Sequence, residues 1–202
     1  MMLAFALNAT AAQHTGLEEI SPDNVQNLKR AFSFHTGDLN QGFDDKLHSQ
    51  QAKPVYWNGR LYVSTSSNLV VAVDAGTGDE LWRFDPNLNR KTDYSEGASR
   101  GVSVWHGESE ICPDRIFIGT LSSKLYAINA TTGERCSDFG VAGEVDLSKG
   151  IRNFREGQYS VTSPVAVLQD RIIVGSAIGD NGGVNCCGSG IRCPGIPPIP
   201  LM

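Results

Sequence analysis

Apolar and polar residues alternate in short runs along this chain, and turn residues separate the runs. Residues 54–57 read as one strand, Asn58 and Gly59 form a tight hairpin turn, and residues 60–64 are the returning strand. Residues 69–74 and 80–84 add a third and a fourth strand after further turns. The pattern predicts a four-stranded antiparallel meander, which is the unit of a β-propeller blade.

The meander repeats along the chain. Residues 60–78 align with residues 115–133 without a gap, at an offset of 115 − 60 = 55, and a third copy begins at Arg171, where 171 − 115 = 56. A fixed period built from short strands is typical of architectures in which each unit buries its apolar faces against its neighbours. We therefore predict an all-β fold, a partial β-propeller of two to three four-stranded blades, with the second blade ending at about Phe139.

The beginning of the chain carries a different signal. Ser21 is a good N-cap and Pro22 suits the first position of a helix, while Val25 and Leu28 would share one apolar face. Alternation then takes over at residues 31–34. We predict a short N-terminal helix followed by a strand.

The last nineteen positions of the chain also differ from the repeats. Residues 184–202 are rich in Gly, Pro and Cys and show neither strand alternation nor a helical period. We predict that residues 13–183 form the partial propeller and that residues 184–202 form an irregular tail, unstructured or produced by a shifted reading frame.

Composition narrows the functional classes. The 202 residues are 40% hydrophobic and 19% charged, as in an ordinary soluble globular protein. A net charge of −5 without a basic cluster gives no reason to expect a nucleic-acid partner. We expect no membrane span, since no apolar run is long enough. Residues 3–7 are apolar, but they lack a basic flank and are short for a signal peptide, so we expect an arbitrary fragment start.

The sequence contains five cysteines, so at least one is left over if the others pair. Cys112 and Cys136 flank the second repeat hairpin and would approach each other if the chain folds back between them. A disulfide, which suits an exported protein, and two separate buried thiols both remain open. Cys186, Cys187 and Cys193 lie in the predicted tail.

One motif connects the repeats to a family. Residues 72–82 fit the pattern A-x-[DN]-x-x-T-G-x-x-x-W. Asp74 can accept hydrogen bonds from the turn backbone, Gly78 permits a positive φ, and Trp82 can dock on the next blade. Residues 127–137 repeat the motif with serine in the tryptophan position. The motif resembles the tryptophan-docking motif of the eight-bladed quinoprotein dehydrogenases, which use pyrroloquinoline quinone (PQQ).

Four further stretches extend the resemblance over residues 13–183. The lead-in at residues 20–38 looks like that of the family, and residues 99–103, 112–117 and 136–140 look most like its membrane-bound glucose dehydrogenase branch. Eight blades at this period need roughly 440 residues. The resemblance therefore implies a truncated N-terminal fragment of such a propeller.

The resemblance also implies a reaction. Enzymes of this family oxidise a sugar or an alcohol by hydride transfer to the quinone, with an aspartate as general base and Ca²⁺ or a similar cation polarising the quinone. Electrons leave to ubiquinone or a cytochrome, outside the cytoplasm. In the family, the catalytic aspartate and most cation ligands belong to later blades. We therefore expect no catalytic residue in this chain and no turnover by the chain alone. The metal ligands are unknown.

Four residues are the candidates for contact with PQQ. PQQ carries three carboxylates, and Arg100 matches the family's arginine before the second blade, where a planar guanidinium suits a carboxylate. Gln51, Thr162 and Ser176 match family positions near the cofactor. For these three, a role in stabilising turns remains an open alternative.

The chain departs from the family pattern near Arg100. The glucose branch has a histidine four residues earlier, where this chain has Glu96, an anion that would be unfavourable beside the PQQ carboxylates unless it is paired. The alcohol branch has vicinal cysteines where this chain has residues 97–99. The four histidines show no spacing typical of metal ligands; they are His14, His35, His48 and His106.

A different class of protein carries the same repeat. Non-catalytic propellers with this tryptophan-docking motif serve as binding scaffolds in the bacterial envelope. Arg100 separates the two hypotheses, because a scaffold has no need of a carboxylate clamp before the second blade. A secreted alcohol dehydrogenase of the same superfamily differs from the glucose-type enzyme only in its substrate.

Overall fold

The computed structural model describes residues 18–38, 49–168 and 171–179, and the backbone of residues 199–200. The chain divides into two compact units, one up to Ser33 and one from Phe34 onwards. The strands, in chain order, are β1 (Ser49–Gln50), β2 (Val55–Trp57), β3 (Arg60–Ser64), β4 (Val70–Asp74), β5 (Glu80–Phe84), β6 (Ala98–Ser99), β7 (Ser103–His106), β8 (Asp114–Gly119), β9 (Lys124–Asn129), β10 (Glu144–Asp146), β11 (Tyr159–Ser160), β12 (Ala166–Leu168), β13 (Arg171–Ile173), β14 (Ala177–Ile178) and β15 (Ile199–Pro200).

Residues 18–33, the described part of the first unit, contain one short helix. Val25–Asn27 is a single turn of 3-10 helix, and the carbonyl of Ser21 accepts hydrogen bonds from the backbone N–H groups of Asn24 and Val25 at 3.1 and 2.9 Å. The helix begins near the predicted place, but it ends before Leu28, so Val25 and Leu28 do not share a helical face; the two residues are 49% and 60% exposed. Leu28 is already extended, and one turn is too short to present an apolar face.

The predicted strand after this helix is also wrong. Residues 31–34 belong to no strand of the described structure. Alternation of apolar and polar residues is necessary for a half-buried strand, but a strand also needs a hydrogen-bonded neighbour.

The second unit contains the predicted blades. One sheet has the order β2-β3-β4-β5 and the next has the order β10-β9-β8-β7, each antiparallel throughout. Tyr62 pairs with Ala72, and Phe117 pairs with Ala127. The offset is 117 − 62 = 127 − 72 = 55, so the sequence repeat is confirmed at the level of strand register. The third blade begins with the antiparallel pair β12 and β13.

Blade 2 differs from blade 1 in two places. Its inner hairpin is longer, because His106 pairs with Asp114 beyond the point where Asn58 and Gly59 already close the hairpin of blade 1. Its fourth strand, β10, lies beyond residue 139, where we expected the blade to end. The chain first turns through residues 136–143, where the N–H of Gly143 donates to the carbonyl of Phe139 at 2.8 Å. An insertion of this kind leaves no apolar period to follow in the sequence.

The apolar cores lie between the blades. The first core joins the facing sides of blades 1 and 2, and the second joins blades 2 and 3. This is the packing that a repeat needs when no unit can bury both of its faces alone. The buried members of the first core are Tyr62, Val70, Ala72, Phe84, Val102, Ile116, Ile118, Tyr126, Ile128 and Ala130. The buried members of the second are Cys112, Phe117, Leu125, Ala127, Cys136, Phe139, Leu147, Val161, Val165 and Ile172.

Trp82 docks on the next blade as the motif predicts. Its Nε1 donates a hydrogen bond of 3.0 Å to the carbonyl oxygen of Ala130, which also accepts a 3.0 Å bond from the Tyr62 hydroxyl. The ring lies over Gly133, where an added Cβ would come within 2.8 Å of Trp82 Cδ2. Gly133 has a φ of +78°, so both the backbone and the docked ring require glycine at this position.

A second contact between blades also repeats. Asn68 and Ser123 both have a φ of 63° and occupy equivalent turns, since 123 − 68 = 55. Asn68 Oδ1 accepts a hydrogen bond of 2.8 Å from the N–H of Leu121 in blade 2. Ser123 Oγ donates one of 2.5 Å to the carbonyl of Tyr159, which leads into blade 3. Each turn therefore ties its blade to the following one.

The Thr-Gly turns are closed by the side chain that the motif predicts. Asp74 Oδ1 accepts hydrogen bonds of 2.9 Å from the N–H groups of Gly76 and Thr77. In blade 2 the Asn129 side chain accepts the corresponding bonds from Thr131 and Thr132, at 2.8 and 3.2 Å. A carboxylate and a neutral amide thus perform the same task in two copies of one turn.

This difference predicts a pH dependence. The backbone hydrogen bonds from Thr77 and then Gly76 hold the pKa of Asp74 below its usual 3.8. A depressed folded-state pKa stabilises the protein above the unfolded value and is lost as the pH falls through the folded value. We expect Asp74→Asn to flatten the acid limb of unfolding free energy against pH, measured by urea titration below about pH 4. Asp79→Asn, which removes a charge from the same turn, is the control; an equal flattening by both variants would contradict the prediction.

The structure decides between the two interpretations of the paired cysteines. Cys112 and Cys136 form a disulfide, with their Cα atoms 5.7 Å apart. Both residues are about 1% exposed and belong to the core between blades 2 and 3. The bond joins the inner hairpin of blade 2 to the turn that precedes β10.

Two residues of the predicted irregular tail form a strand. Ile199–Pro200 pairs antiparallel with β13, with Ile172 opposite Ile199. Proline is compatible with this place because, among the described strands, β15 pairs only with β13. Residues 184–198 lie outside the described residues, so the boundary at residue 183 stays a prediction. The apolar start of the chain and five further residues also lie outside; these are His14, His48, Cys186, Cys187 and Cys193. Among the described residues, no helix has the length and apolar character needed to cross a bilayer.

Candidate functional site

Three residues occupy equivalent positions ahead of the three inner strands. Gln51, Ser99 and Thr162 each lie six residues before an inner-strand residue that pairs with an arginine of the following strand, since 57 − 51 = 105 − 99 = 168 − 162 = 6. These pairs are Trp57 with Arg60, Trp105 with Arg115 and Leu168 with Arg171. We call this end of the blades, where the inner strands begin and β3 and β8 end, the upper end. Gln51 and Thr162, two of the predicted cofactor residues, therefore occupy equivalent positions at the upper end of blades 1 and 3.

Arg100 and Thr162 meet at the upper end. The backbone N–H of Arg100 donates to the carbonyl of Thr162 at 2.8 Å, and Arg100 Nη1 donates to Thr162 Oγ1 at 2.5 Å. Thr162 is buried, whereas Arg100 is exposed. The guanidinium is thus anchored on blade 3 at one nitrogen and open to a ligand at the others.

The segment before Arg100 is held by blade 1. β1 and β6 are parallel, with Gln50 opposite Ser99. The hydroxyls of Ser64 and Ser99 share a hydrogen bond of 2.8 Å, and both residues are buried. Gln50 Nε2 donates to the carbonyl of Ser64 at 3.1 Å. The start of the inner strand of blade 2 is therefore attached to both neighbouring blades.

The other two predicted residues, Gln51 and Ser176, are both exposed. Gln51 is exposed, and its Nε2 donates to Ser49 Oγ at 2.8 Å. Ser176 is exposed beside β14, and it is equivalent to Thr65 and Thr120, since 171 + 5, 60 + 5 and 115 + 5 give the three positions. The hydroxyl groups of Thr65 and Thr120 accept hydrogen bonds within their own turns, at 3.2 and 3.1 Å. The equivalence supports a turn role for this position, and a cofactor role for Ser176 or Gln51 stays a prediction.

The segment that carries Glu96 lies against the lead-in of blade 3. The N–H of Ser95 donates to the carbonyl of Gly157 at 2.8 Å. A Cβ added to Gly179 would come within 2.7 Å of Ser95 Cβ and 2.4 Å of Gln158 Oε1. Glu96 itself is half-buried. The chain that leads to Arg100 is therefore packed closely against the segments at 157–158 and 179.

The polar groups at the upper end suit a ligand with several carboxylates. Ser160 Oγ is buried without a hydrogen-bond partner, and such a hydroxyl is costly unless a partner is supplied. Ser160 lies two residues before Thr162, to which the exposed guanidinium of Arg100 is anchored. A guanidinium and hydroxyl donors are the groups that bind carboxylate oxygens, so the residues present fit PQQ.

Two other features do not belong to this group of residues. A cavity of about 410 Å³ lies between the turn at Ser67 and Leu69 and the loop at residues 85–91, and none of the four predicted residues lines it. Within residues 18–38, 49–168 and 171–179, no group of three or more His, Cys, Asp or Glu side chains could hold a metal ion. The two histidines in these ranges, His35 and His106, are exposed.

Comparison with known proteins decides the family. The profile of the PQQ-dependent glucose, ethanol and alcohol dehydrogenase β-propeller domain matches residues 4–192. The chain belongs to this quinoprotein dehydrogenase family. The resemblance that the repeats indicated, and the all-β partial propeller, are confirmed. The match also extends nine residues into the predicted tail, since 192 − 183 = 9.

Individual relatives agree with the family assignment. The quinoprotein chain is 31% identical over 186 residues to the quinoprotein glucose dehydrogenase of Escherichia coli K12, and 31% identical over 205 residues to the quinate/shikimate dehydrogenase (quinone) of Acinetobacter baylyi. These matches cover 88% and 92% of this chain but only 23% and 25% of the relatives. The chain therefore spans about a quarter of the length of the curated relatives.

A solved structure shows the same fold. The quinohemoprotein alcohol dehydrogenase of Comamonas testosteroni superposes with a TM-score of 0.63 at 26% identity, over 80% of this chain and 21% of that one. The quinoprotein chain is similar to sugar-oxidising and alcohol-oxidising members alike. The family model is that of dehydrogenases, and the substrate is left to a proposal.

The contact between Ser64 and Ser99 was not predicted from the sequence. A comparison of inner strands would have placed Ser99 level with Gln51 and Thr162, but the longer inner hairpin of blade 2 hides that alignment. Measured on the inner strands, the repeat between blades 1 and 2 is 105 − 57 = 48 rather than 55, a difference of seven residues.

Proposed function

We propose that this quinoprotein chain supplies part of the PQQ site of a dehydrogenase. The observation that carries the proposal is the anchoring of Arg100 on Thr162, which leaves an exposed guanidinium at the upper end of the blades. When bound, PQQ accepts a hydride from the substrate and passes the electrons on. The chain's own contribution is to bind and orient a carboxylate of the cofactor.

The roles of the four residues follow from their contacts. Arg100 binds a PQQ carboxylate through the guanidinium nitrogens that Thr162 does not occupy. Thr162 holds Arg100 in place and presents its hydroxyl near the same ligand. Gln51, at the equivalent place in blade 1, and Ser176, beside the lead-in of blade 3, are further candidates for polar contact with the cofactor.

The proposed reaction is oxidation of an aldose, glucose-like, or of an alcohol. Relatives named as glucose dehydrogenase and as quinate/shikimate dehydrogenase (quinone) support substrates that carry hydroxyl groups. We propose ubiquinone or a cytochrome as the electron acceptor of the longer protein, and Ca²⁺ or a similar divalent cation as the second cofactor. The Cys112–Cys136 disulfide supports a location outside the cytoplasm, in the periplasm, because disulfides persist in oxidising compartments.

PQQ binding by the 202-residue chain tests the proposal. Replacing Arg100 with alanine removes charge-assisted hydrogen bonds worth about 1.5–3 kcal/mol, so the dissociation constant for PQQ, measured by equilibrium dialysis, should rise about 10- to 100-fold. Arg100→Lys should recover only part of the affinity, since an ammonium cannot make a planar, two-point contact.

Arg83→Ala is the matched control for this experiment. Arg83 is an exposed arginine on β5 whose guanidinium binds Glu80 and the carbonyl of Thr36, away from the inner strands. Its replacement should leave PQQ affinity unchanged. Equal weakening by the two variants, or none by Arg100→Ala, would contradict the role assigned to Arg100.

A further inference from the structure

We infer that Ser64, acting through Ser99, is a positioning residue for the guanidinium of Arg100; the inference rests on the proposed PQQ site. Ser64 ends β3 of blade 1, and Ser99 ends β6, one residue before Arg100. Their hydroxyls share a hydrogen bond of 2.8 Å, and the two residues are 0% and 2% exposed.

The arrangement attaches Arg100 from two sides. On the side of blade 1, Ser99 is paired with Gln50 and bonded to Ser64. On the side of blade 3, the backbone and the guanidinium of Arg100 both donate to Thr162. Because one peptide unit joins Ser99 to Arg100 and holds their Cα atoms about 3.8 Å apart, a shift of Ser99 displaces the backbone from which the guanidinium extends. A displacement of about 1 Å is enough to weaken a precisely oriented polar contact.

Packing alone does not require these two hydroxyls. The position of Ser64 corresponds to Gly119 in blade 2, since 119 − 64 = 55. There the contact with the next blade is apolar, because a Cβ on Gly119 would come within 2.1 Å of Val161 Cγ1. Val161 corresponds to Ala98, one residue before Ser99, since 161 − 98 = 162 − 99 = 63. The junction beside Arg100 therefore carries a buried polar pair where the next junction is filled by a valine side chain.

The polar pair has a direct physical use at this place. A buried hydroxyl loses its hydration and needs a partner in a definite direction. The Ser64–Ser99 hydrogen bond therefore restricts the position of the segment that leads into the inner strand of blade 2. An apolar contact would restrict it less, because apolar surfaces can shift slightly against each other. Arg100 is the next residue in the chain. Its backbone must be held in a fixed position if the exposed guanidinium is to bind a carboxylate through two hydrogen bonds.

A double-mutant cycle on PQQ affinity tests the inference. Ser64→Ala should raise the dissociation constant about 5-fold in the wild-type background, as expected for one lost neutral hydrogen bond. In the Arg100→Ala background it should cause no further change, because the group that it positions is absent. An equal effect in both backgrounds, or no effect in the wild type, would overturn the inference. Failure of Arg100→Ala to weaken binding would instead contradict the proposed function.

A second measurement does not depend on PQQ. The ¹⁵N heteronuclear NOE of the Arg100 side-chain Nε should fall in Ser64→Ala, since the guanidinium becomes more mobile on the picosecond-to-nanosecond timescale. Ser103→Ala is the control, because Ser103 Oγ donates to the carbonyl of Val165 across the junction of blades 2 and 3 without contacting Arg100. An unchanged NOE in Ser64→Ala would overturn the positioning role even if the chain binds no PQQ.

A third variant tests whether the effect of Ser64 replacement comes only from poorer folding. Ser64→Gly combined with Ala98→Val copies the Gly119–Val161 contact between blades 1 and 2. This variant should retain the unfolding midpoint in urea more closely than Ser64→Gly alone, yet show the lower Arg100 NOE. A normal NOE in the transplanted variant would show that any filled junction suffices, and would overturn the inference.

Discussion

Replacing Asp138 with alanine should lower the free energy of unfolding by about 3–5 kcal/mol, because it leaves a buried arginine without its counter-ion. Arg115 is the largest fully buried side chain among the described residues, at 1% exposure. Its Nη2 forms an ion pair with Asp138 Oδ2, its Nε donates to the carbonyl of Cys112 at 2.9 Å, and its guanidinium carbon lies 5.2 Å from the centre of the Trp105 ring.

The reason for the large effect is that the Arg115 guanidinium cannot lose its charge. Arginine remains protonated at any ordinary pH, so a buried guanidinium without an anion has to draw in water or distort the core. Ser109 Oγ also donates to Asp138 Oδ2, at 2.9 Å, so the same replacement removes a second hydrogen bond.

Urea unfolding of three variants separates this explanation from simple loss of packing. Arg115→Met combined with Asp138→Ala should be less destabilised than Asp138→Ala alone, because the uncompensated charge is gone. Glu80→Ala breaks the exposed Arg83–Glu80 pair, whose side chains are 30% and 37% exposed, and should cost about 0–1 kcal/mol. If the double variant were the least stable of the three, the uncompensated charge would not be the cause.

Removing the disulfide is the second large effect. Cys112 and Cys136 are separated by 24 positions, and closing a loop of that size stabilises a protein by about 3.5 kcal/mol in the chain-entropy description. The double variant Cys112→Ala, Cys136→Ala should therefore lose about that amount in urea unfolding. Wild-type protein in a reducing buffer provides the comparison, and the double variant itself should not respond to the reductant.

The disulfide and the buried ion pair are expected to be coupled. Cys112 supplies a carbonyl to Arg115, and Cys136 lies two residues before Asp138, so the bond holds both partners of the guanidinium in place. Neighbouring groups of this kind give non-additive effects. The combined variant should lose less stability than the sum of the two separate losses; strict additivity would show that the two features act independently.

The sequence predicts some structural elements of this protein better than others. The hairpin at Asn58–Gly59, the carboxylate of Asp74 that closes its turn and the docking of Trp82 all follow from local residue chemistry, and the structure confirms each. Ser21 and Pro22 predict an N-terminal helix, and the structure has a single 3-10 turn, Val25–Asn27, within residues 18–33. Capping signals mark where a helix can begin, but tertiary packing supplies most of its stability.

The candidate site was visible only in part. The sequence predicts both Arg100 and Thr162 as cofactor-binding residues. Their contact joins residues 62 positions apart, so no local pattern specifies it. The Ser64–Ser99 bond was missed because the inserted inner hairpin of blade 2 removes the constant offset between the inner strands. The position of β10 does not follow from the sequence because a separate irregular turn, residues 136–143, precedes that strand.

By itself the sequence determined the repeat: its period of 55 residues, the strand order within a blade, and the glycines and tryptophan that let one blade dock on the next. These follow from side-chain alternation and turn chemistry, which act between residues near each other in the chain. Only the tertiary structure decided which lead-in segments meet at the upper end, that Cys112 bonds to Cys136, and that Arg115 is buried. Those outcomes depend on the stacking of whole sheets, which brings distant residues together according to the packing of their faces.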